Sequence, residues 1–262
     1  MSATATIEPA ELRRRIRAGE WTIPTSGAAT GYLQANLVML PESHAFHFLL
    51  FCTRNPKPCP VLDVLEAGAT EPAIAAGADL RDDLPRYRVF ENGELTQEMT
   101  SVKDCFRPDM VSFLLGCSFS FENAMLAAGL PIRNLEEDKN VSMYVTNRQC
   151  RPAGPFSAPL VVTMRPMTPA QAVRAVQVTT RFYLTHGAPI HIGDPADLGI
   201  DHLDRPDFGD PVTIRSGEIP VFWACGVTST LAAVSAQLDL TITHAPGHMF
   251  VSDQRDEHVA IF

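Results

Sequence analysis

Apolar positions along the chain change repeatedly between the spacing of helices and that of strands, which predicts a mixed fold. Residues 9–17 place Leu12 and Ile16 on one helical face behind a proline at the first position, so they predict a short N-terminal helix. A second helix is predicted over 42–54, and the prolines at 56, 58 and 60 forbid regular structure after it.

Two further stretches of the first half have the composition of strands. Residues 61–65 predict a single strand. Residues 86–99 predict a hairpin, because the pair Asn92-Gly93 suits the two positive φ angles that a type I′ turn requires.

The second half contains two segments with the same order of strand, helix and strand. In chain order, the predicted elements are a strand at 160–164, a helix from 168 to about 183, a strand at 189–192, a strand at 220–224, a helix from 228 to 238 and a strand at 240–243. Thr168 and Gln171 suit a capping box, and Thr228 suits a cap of the second helix. Such β-α-β segments predict parallel pairing, with functional loops at the carboxyl ends of the strands. We therefore expect an α/β fold, with a mixed α+β arrangement left open, in one domain of two lobes over residues 1–262.

Composition and charge exclude several classes of protein. The 262 residues are 45% hydrophobic and 19% charged, as is typical of a folded globular chain. A net charge of −9, with one short basic run at 13–17, argues against a nucleic-acid-binding surface. The apolar runs are far shorter than the roughly 20 residues that cross a bilayer, and the N-terminus lacks the pattern of a signal peptide. We expect a cytoplasmic protein that acts on a small molecule and binds neither nucleic acid nor membrane.

The densest polar stretch, residues 140–155, is a candidate substrate site. It offers Asn147, Arg148 and Arg151 beside the glycine and prolines of a loop. A planar guanidinium can clamp a carboxylate through paired hydrogen bonds, so the two arginines suit an acidic substrate. Surface salt bridges are the alternative explanation for both. Arg165, which follows a predicted strand, is a lesser candidate.

Residues 116–122, Gly-Cys-Ser-Phe-Ser-Phe-Glu, follow an apolar run and open a predicted helix that Ser118 or Ser120 is suited to cap. The backbone N–H groups and partial positive charge of a helix start suit an anion. Glu122 is a candidate general acid or base, and a favourable interaction with the helix dipole is the alternative. Cys117 fits a small buried apolar residue better than a nucleophile, because the stretch lacks the G-x-S-x-G pattern.

Four histidines lie in short loops beside predicted strand ends, namely His186, His191, His244 and His248. Imidazole titrates near neutral pH and therefore suits proton transfer. Each histidine alone is also explained as a turn or core residue, but their shared placement indicates convergence at one site. His191, His244 and His248 therefore join Glu122 as the expected catalytic residues.

The chain shows no strong pattern for a metal or a nucleotide. Its six cysteines are dispersed without C-x-x-C, which predicts free thiols, and no H-E-x-x-H occurs. Aspartates at 201, 204, 207 and 210 lack the EF-hand pattern and predict a solvated turn region. Neither G-x-G-x-x-G nor a P-loop is found. The sequence requires no cofactor, leaves a divalent metal open, and predicts that any metal is weakly held.

Several short motifs together resemble the D-glutamate cyclase family of hydro-lyases. They are Gly31-Tyr-Leu-Gln-Ala-Asn36, Asn55-Pro-Lys-Pro-Cys-Pro60, Gly116-Cys-Ser-Phe-Ser-Phe-Glu122, Asn147 with Cys150-Arg-Pro-Ala-Gly154, His186-Gly-Ala-Pro-Ile-His-Ile-Gly-Asp194, Pro206-Asp-Phe-Gly-Asp210, Phe222-Trp-Ala-Cys-Gly226 and Thr243-His-Ala-Pro-Gly-His248. As a set they are specific and cover almost the whole chain, whereas none is specific alone.

The resemblance implies a lyase that acts on carbon–oxygen bonds. In the cyclase reaction the α-amine of D-glutamate attacks its own γ-carboxyl, water leaves, and 5-oxo-D-proline forms. The resemblance implies that Glu122 or a loop histidine moves protons and that the arginines hold carboxylates. The expected substrate-binding residues are Arg148, Arg151, Asn147, Ser118, Asn36 and Asp194. The alternatives are a hydratase or amidohydrolase of another small acid and a metabolite-binding protein without catalysis. The oligomeric state is left open, a homo-oligomer included.

Overall fold

The structure is a computed structural model that describes residues 7–260; residues 1–6, where the signal-peptide pattern was sought, lie outside this range. Its strands are β1 (Tyr32–Pro41), β2 (Val61–Leu65), β3 (Tyr87–Glu91), β4 (Glu94–Met99), β5 (Met110–Gly116), β6 (Ser142–Gln149), β7 (Pro159–Met167), β8 (His191–Ile192), β9 (Ile219–Ala224), β10 (Thr241–His244) and β11 (Phe250–Arg255). Its α-helices are α1 (Pro9–Arg17), α2 (Glu42–Arg54), α3 (Phe119–Ala127), α4 (Arg133–Glu136), α5 (Pro169–Thr179) and α6 (Val227–Ser235). Short 3-10 helices cover 183–185, 195–198 and 256–259.

These strands form two antiparallel sheets. The larger sheet has the order β2-β5-β1-β10-β3-β4, and β11 pairs with β1 beside β10. The smaller sheet has the order β6-β7-β9-β8. The chain is thus a mixed α/β protein, as the alternation of helical and strand-like patterns predicted.

The predicted parallel pairing is wrong in both β-α-β segments. In the first segment, β7 and β8 lie on opposite sides of β9, and each pairs with β9 in the antiparallel sense. In the second segment, β9 and β10 belong to different sheets, so α6 connects the two sheets. In the first segment the prediction failed because β9, which is distant in sequence, lies between the two strands that were expected to pair. In the second segment it failed because the two strands belong to different sheets.

Several local predictions are confirmed. The helix bounds Pro9–Arg17 and Glu42–Arg54 agree with the sequence patterns. At the hairpin turn, Asn92 and Gly93 have φ angles of 52° and 83°, as a type I′ turn requires. The capping box at the start of α5 is also present, with Thr168 and Gln171 exchanging hydrogen bonds.

Two helix ends differ from the prediction. Helix α5 ends at Thr179 rather than near Tyr183, because the chain tightens there into a 3-10 helix over 183–185. Thr228 lies inside α6 and does not cap it. Its hydroxyl instead accepts a hydrogen bond from the Val161 amide at 2.9 Å, which links α6 to the smaller sheet.

Aromatic side chains mark where helices cover the sheets. Phe48 of α2 packs edge to face against Phe113 of β5, with ring centroids 4.9 Å apart. On the smaller sheet, Trp223 of β9 lies against Phe121 of α3, with centroids 6.0 Å apart. Helix α3 follows β5 of the larger sheet and contacts Trp223 of the smaller one, so it links the two sheets.

Candidate functional site

A small cavity lies between the two sheets, and we call it the inter-sheet cavity. Its void is about 340 Å³ when the mouth is included, but the cavity volume that a water molecule can occupy is only about 20 Å³. The polar residues that line it are Asn36, Ser118, Asn140, Thr163, His186 and His244. Asn36 and His244 belong to the larger sheet and Thr163 to the smaller one, so the cavity forms only when both sheets are in place.

Two helices begin at the wall of the inter-sheet cavity. Ser118 precedes α3 and Gly226 precedes α6, and both have the same backbone angles, φ −64° and ψ −17°. Within residues 7–260, no acceptor takes a hydrogen bond from the amide N–H of either residue. Unpaired N–H groups and the positive ends of helix dipoles favour an anion. The cavity therefore offers one free donor from each helix start.

Two glycines permit the close approaches that build this wall. A Cβ at Gly226 would lie 2.1 Å from the side-chain nitrogen of Asn36, so only glycine leaves room for that amide. A Cβ at Gly116 would lie 1.9 Å from the Leu184 carbonyl oxygen, in the turn that carries His186. Asn36 Nδ2 in turn donates to the carbonyl of Gly116 at 2.9 Å, and this hydrogen bond holds the side-chain amide of Asn36 in place in the cavity wall.

His186 is buried and has a φ of 81°, in the left-handed region that non-glycine residues rarely adopt. Its Nδ1 lies 2.8 Å from the Lys57 carbonyl, which can only accept, so Nδ1 carries the proton and Nε2 keeps a lone pair. Burial lowers the His186 pKa to about 4, so the ring is neutral at pH 7. Such backbone strain is often found at functional sites, and a neutral imidazole with a free lone pair suits a general base.

His244 fills a gap in the larger sheet. Along one edge of β1, β11 pairs as far as Ala35 and β10 pairs from Val38, so Leu37 lies between them. The His244 Nδ1 is 3.2 Å from the Leu37 nitrogen and 3.3 Å from its oxygen, and thus replaces part of the missing strand pairing. Burial lowers the His244 pKa to about 4. These contacts give His244 a structural role in addition to its place at the cavity.

Arg165 and Glu122 form a buried ion pair behind the cavity wall. Arg165 Nη2 donates to Glu122 Oε1 at 2.5 Å, and the same nitrogen lies 3.3 Å from the hydroxyl of Ser118. Its Nη1 donates to the hydroxyl of Thr163 at 3.1 Å. Arg165 thereby contacts two cavity-lining side chains at once and holds the start of α3 against the smaller sheet. Ser118 consequently faces Arg165 and makes no side-chain cap of α3, which differs from the sequence prediction.

Burial raises the pKa of Glu122, and the charge of Arg165 opposes this rise. Glu122 does not line the inter-sheet cavity, since its carboxylate is taken up by Arg165 and by the hydroxyl of Ser26 at 3.3 Å. Its position supports a positioning role through Arg165 and Ser118. Its expected role as a general acid or base stays a prediction.

The structure places Asn147, Arg148 and Arg151 away from the inter-sheet cavity. All three are exposed, the first two at the end of β6 and Arg151 in the following loop. The backbone of Arg151 forms two hydrogen bonds with the side chain of Asn55, one as donor and one as acceptor, and these hold the loop in place. The guanidinium of Arg151 takes no part in them. The sequence expected all three to bind substrate, and that expectation stays a prediction.

Only two of the four histidines converge on the cavity, namely His186 and His244. His191 lies at the start of β8, where its Nε2 is 2.7 Å from the Asp194 carbonyl. The Asp194 side chain is exposed and caps the 3-10 helix over 195–198. His248 is half-buried, and its Nδ1 lies 3.0 Å from the Pro246 carbonyl in the turn after β10. The catalytic roles expected of His191 and His248, and the binding role of Asp194, stay predictions.

Two cysteines at the cavity were not expected there. Cys117 was interpreted as a buried apolar residue, and Cys225 was noted only within a motif, yet both line the cavity. Each directly follows a buried strand and lies two residues before the first residue of a helix. The sequence signal that could have found them is this repeated order of strand, cysteine and helix start at 110–127 and 219–235.

Within residues 7–260, no three His, Cys, Asp or Glu side chains cluster so as to hold a metal ion. All six cysteines are free thiols in the structure, in agreement with the sequence. We expect prolonged dialysis against a chelator to leave the thermal unfolding midpoint unchanged, because the sequence predicts that any metal is weakly held rather than structural. Differential scanning fluorimetry with elemental analysis checks this. A stoichiometric zinc that survives purification, with unfolding after chelation, would contradict it.

No helix within the described residues is long and apolar enough to cross a membrane.

Comparison with known proteins identifies the class to which this fold and cavity belong. Residues 111–253 match the family model described as D-glutamate cyclase. A protein of Syntrophobacter fumaroxidans is 62% identical over 96% of this chain and 97% of its own length, and one of Geobacillus kaustophilus is 58% identical over the full length of both. A protein of Rubrobacter xylanophilus is 59% identical over 94% of this chain and 96% of its own length. All three carry the name "Putative hydro-lyase".

These similarities define a family of proteins that carry the name "Putative hydro-lyase". The chain belongs to the D-glutamate cyclase family. Among solved structures, a nitrogen repressor-like protein from Methanococcus jannaschii covers 96% of this chain and 99% of its own, with a TM-score of 0.39 and 9% identity.

Proposed function

We propose that the protein is a hydro-lyase that converts D-glutamate, or a close acidic amino acid, to the corresponding 5-oxoproline with loss of water. The observation that carries the proposal is the family match, because residues 111–253 supply nearly every residue of the cavity wall. Asn36 of β1 completes the wall from the N-terminal part of the chain.

The charge of the cavity supports an acidic substrate. Two helix starts direct their positive ends at it, the Ser118 and Gly226 amides have no acceptor in the described chain, and Arg165 lies directly behind the wall. Preorganised N–H donors stabilise the negative charge that develops on a carboxyl oxygen during attack by an amine. This set therefore suits the addition step of an intramolecular cyclisation.

A base is needed to free the α-amine of the substrate from its proton. His186 offers a lone pair on Nε2 at the cavity, and burial keeps its ring neutral at pH 7. In the proposed step, Nε2 takes one proton of the α-ammonium group, and the amine attacks the carbon of the γ-carboxylate. As the C–N bond forms and a C–O bond breaks, the proton on Nε2 and a second proton released from the nitrogen both pass to the oxygen that leaves as water. The nitrogen keeps one hydrogen, so the protons balance.

The substrate requires more space than the cavity now offers. A volume of about 20 Å³ holds a water molecule but not an amino acid. Met143 and Met249 form part of the wall, and methionine side chains adapt readily because they are unbranched. We propose that substrate binding displaces these side chains and widens the cavity between the sheets.

We expect purified protein to dehydrate D-glutamate without added ATP or NAD, because the sequence lacks both nucleotide-binding patterns. ¹H NMR with D-glutamate, L-glutamate and other dicarboxylic amino acids measures this directly, through the loss of substrate signals and the rise of 5-oxoproline signals. The matched control is Gly226→Ala, which is expected to lose turnover because its Cβ would collide with the Asn36 side chain in the cavity wall. Turnover that appears only with an added nucleotide, or with none of the amino acids, would contradict the proposal.

A further inference from the structure

Cys117 and Cys225 occupy equivalent places in the inter-sheet cavity, and the proposed cyclisation uses neither. Each follows a buried strand and stands directly before a residue with φ −64° and ψ −17° at a helix start. The two thiols thus occupy matching positions at the two helix starts.

The two thiols reach the cavity from different sheets. Cys117 follows β5 of the larger sheet and Cys225 follows β9 of the smaller one, and both belong to one apolar cluster that includes Val141, Val161 and Met249. A ligand between the sheets would therefore meet one thiol from each side. The unpaired amides of Ser118 and Gly226 stand beside the sulfurs in sequence and mark where an anionic group of that ligand would lie.

Burial raises the pKa of both thiols, that of Cys225 to about 11. A thiol with a raised pKa is protonated at pH 7 and can donate a proton, and its thiolate is a strong base once formed. Both groups are therefore thiols at pH 7, and one of them must lose its proton before it can act as a base. The lone pair on Nε2 of His186, which lines the same cavity, can take that proton.

We propose that Cys117 and Cys225 are paired proton-transfer groups that exchange the hydrogen on the α-carbon of a small amino acid bound between the two helix starts. This exchange would be a second activity of the inter-sheet cavity. It rests on the proposed function in one respect, namely that the ligand is a small amino acid. Cyclisation breaks no bond at the α-carbon, so the two activities can be measured separately.

The proposed exchange is balanced within the side chains of the cavity and the ligand. One thiol first gives its proton to Nε2 of His186, and the resulting thiolate takes the α-proton while the electron pair of the C–H bond moves onto the α-carboxylate. The Ser118 and Gly226 amides donate to the oxygens that gain this charge. The other cysteine, as a thiol, gives its proton to the α-carbon from the opposite face. The product is the inverted amino acid, and the two cysteines have exchanged protonation states.

The experiment follows the α-hydrogen by ¹H NMR in D₂O, with the full chain and each enantiomer of glutamate, aspartate, serine and proline supplied separately. The wild type is expected to replace the α-hydrogen by deuterium in both enantiomers of at least one of them. Chiral chromatography of the same samples measures inversion, which is expected to carry the deuterium label.

Cys117→Ser and Cys225→Ser test each thiol with little change of size. Each variant is expected to lose inversion at least about a hundredfold, the usual contribution of an acid–base group. Each is also expected to retain deuterium exchange for one enantiomer only, because the surviving thiol reaches one face. Cys105→Ser is the matched control, since Cys105 is half-buried outside the cavity. Thermal unfolding confirms that the variants are folded.

The outcomes separate this proposal from the cyclase function. Water loss without any α-deuterium in the wild type overturns the thiol pair and leaves the cyclase function standing. Deuterium exchange without water loss supports the thiol pair and overturns the cyclase function. Inversion at the wild-type rate in both folded cysteine variants overturns the thiol pair. If a variant fails to fold, the presence or absence of α-deuterium in the wild type still decides whether the exchange occurs.

Discussion

Lowering the pH from about 6.5 to about 4 is expected to reduce the free energy of unfolding by roughly 3 kcal/mol for each of two histidines, since each tenfold change in proton affinity is worth about 1.4 kcal/mol. His186 and His244 are both buried, and burial lowers the pKa of each from 6.5 to about 4. The unfolded chain therefore binds protons in this range that the folded chain does not bind. By linkage, stability is present above pH 6.5 and is lost as the pH falls towards 4.

Urea unfolding followed by circular dichroism between pH 4 and 8 measures this loss. The matched control is His186→Asn, which is expected to flatten the profile by about half because one of the two histidines is removed. Asparagine tolerates the positive φ at this position better than most residues. An unchanged stability between pH 7 and 4.5 in the wild type would contradict the burial of two neutral histidines.

His186→Asn is also expected to lower kcat for the proposed cyclisation at least about a hundredfold, with a smaller effect on KM. The reason is that Nε2 of His186 is the base of the proposed step, and general acid–base catalysis contributes about 10²–10⁴-fold. The asparagine amide can still donate to the Lys57 carbonyl, so the turn keeps its hydrogen bond. Steady-state kinetics with the substrate found by NMR measures the change.

The histidines outside the cavity provide the comparison. His248→Asn and His191→Asn test the catalytic roles that the sequence predicts, and Arg151→Ala tests the predicted carboxylate clamp, which would chiefly raise KM. If His248→Asn or His191→Asn loses kcat while His186→Asn keeps it, catalysis belongs to the sequence-predicted residue and the cavity assignment is wrong. Normal kcat in all three histidine variants would instead favour Glu122.

Local structure was predictable where one short stretch determines it. The turn at Asn92-Gly93 and the capping box at Thr168 depend on residues within a few positions of each other. Strand pairing depends on partners far away, and the buried strands β7 and β9 carry no pattern that distinguishes a parallel neighbour from an antiparallel one. The sequence therefore predicted the elements well and their pairing poorly.

The same distinction applies to the site. The start of α3 was expected to suit an anion because its residues are adjacent in sequence, and it does line the cavity. The shared position of Cys117 and Cys225 at the cavity, and the ion pair of Glu122 with Arg165, join residues that are far apart in sequence and could not be predicted from spacing. Arg148 and Arg151 were favoured for their chemistry and their place beside a loop, and the end of β6 and the loop after it place them on the surface.

The position of β1 also determines the order in which the chain can fold during its synthesis. Its partner on one edge, β5, is complete at residue 116, whereas the other edge is filled by β10 and β11 near the C-terminus. A ribosome-bound chain therefore carries an apolar strand with one open edge until residues 241–255 have emerged, and such edges pair readily with other chains. Completion of the larger sheet therefore waits until the last two strands of the described chain have been made.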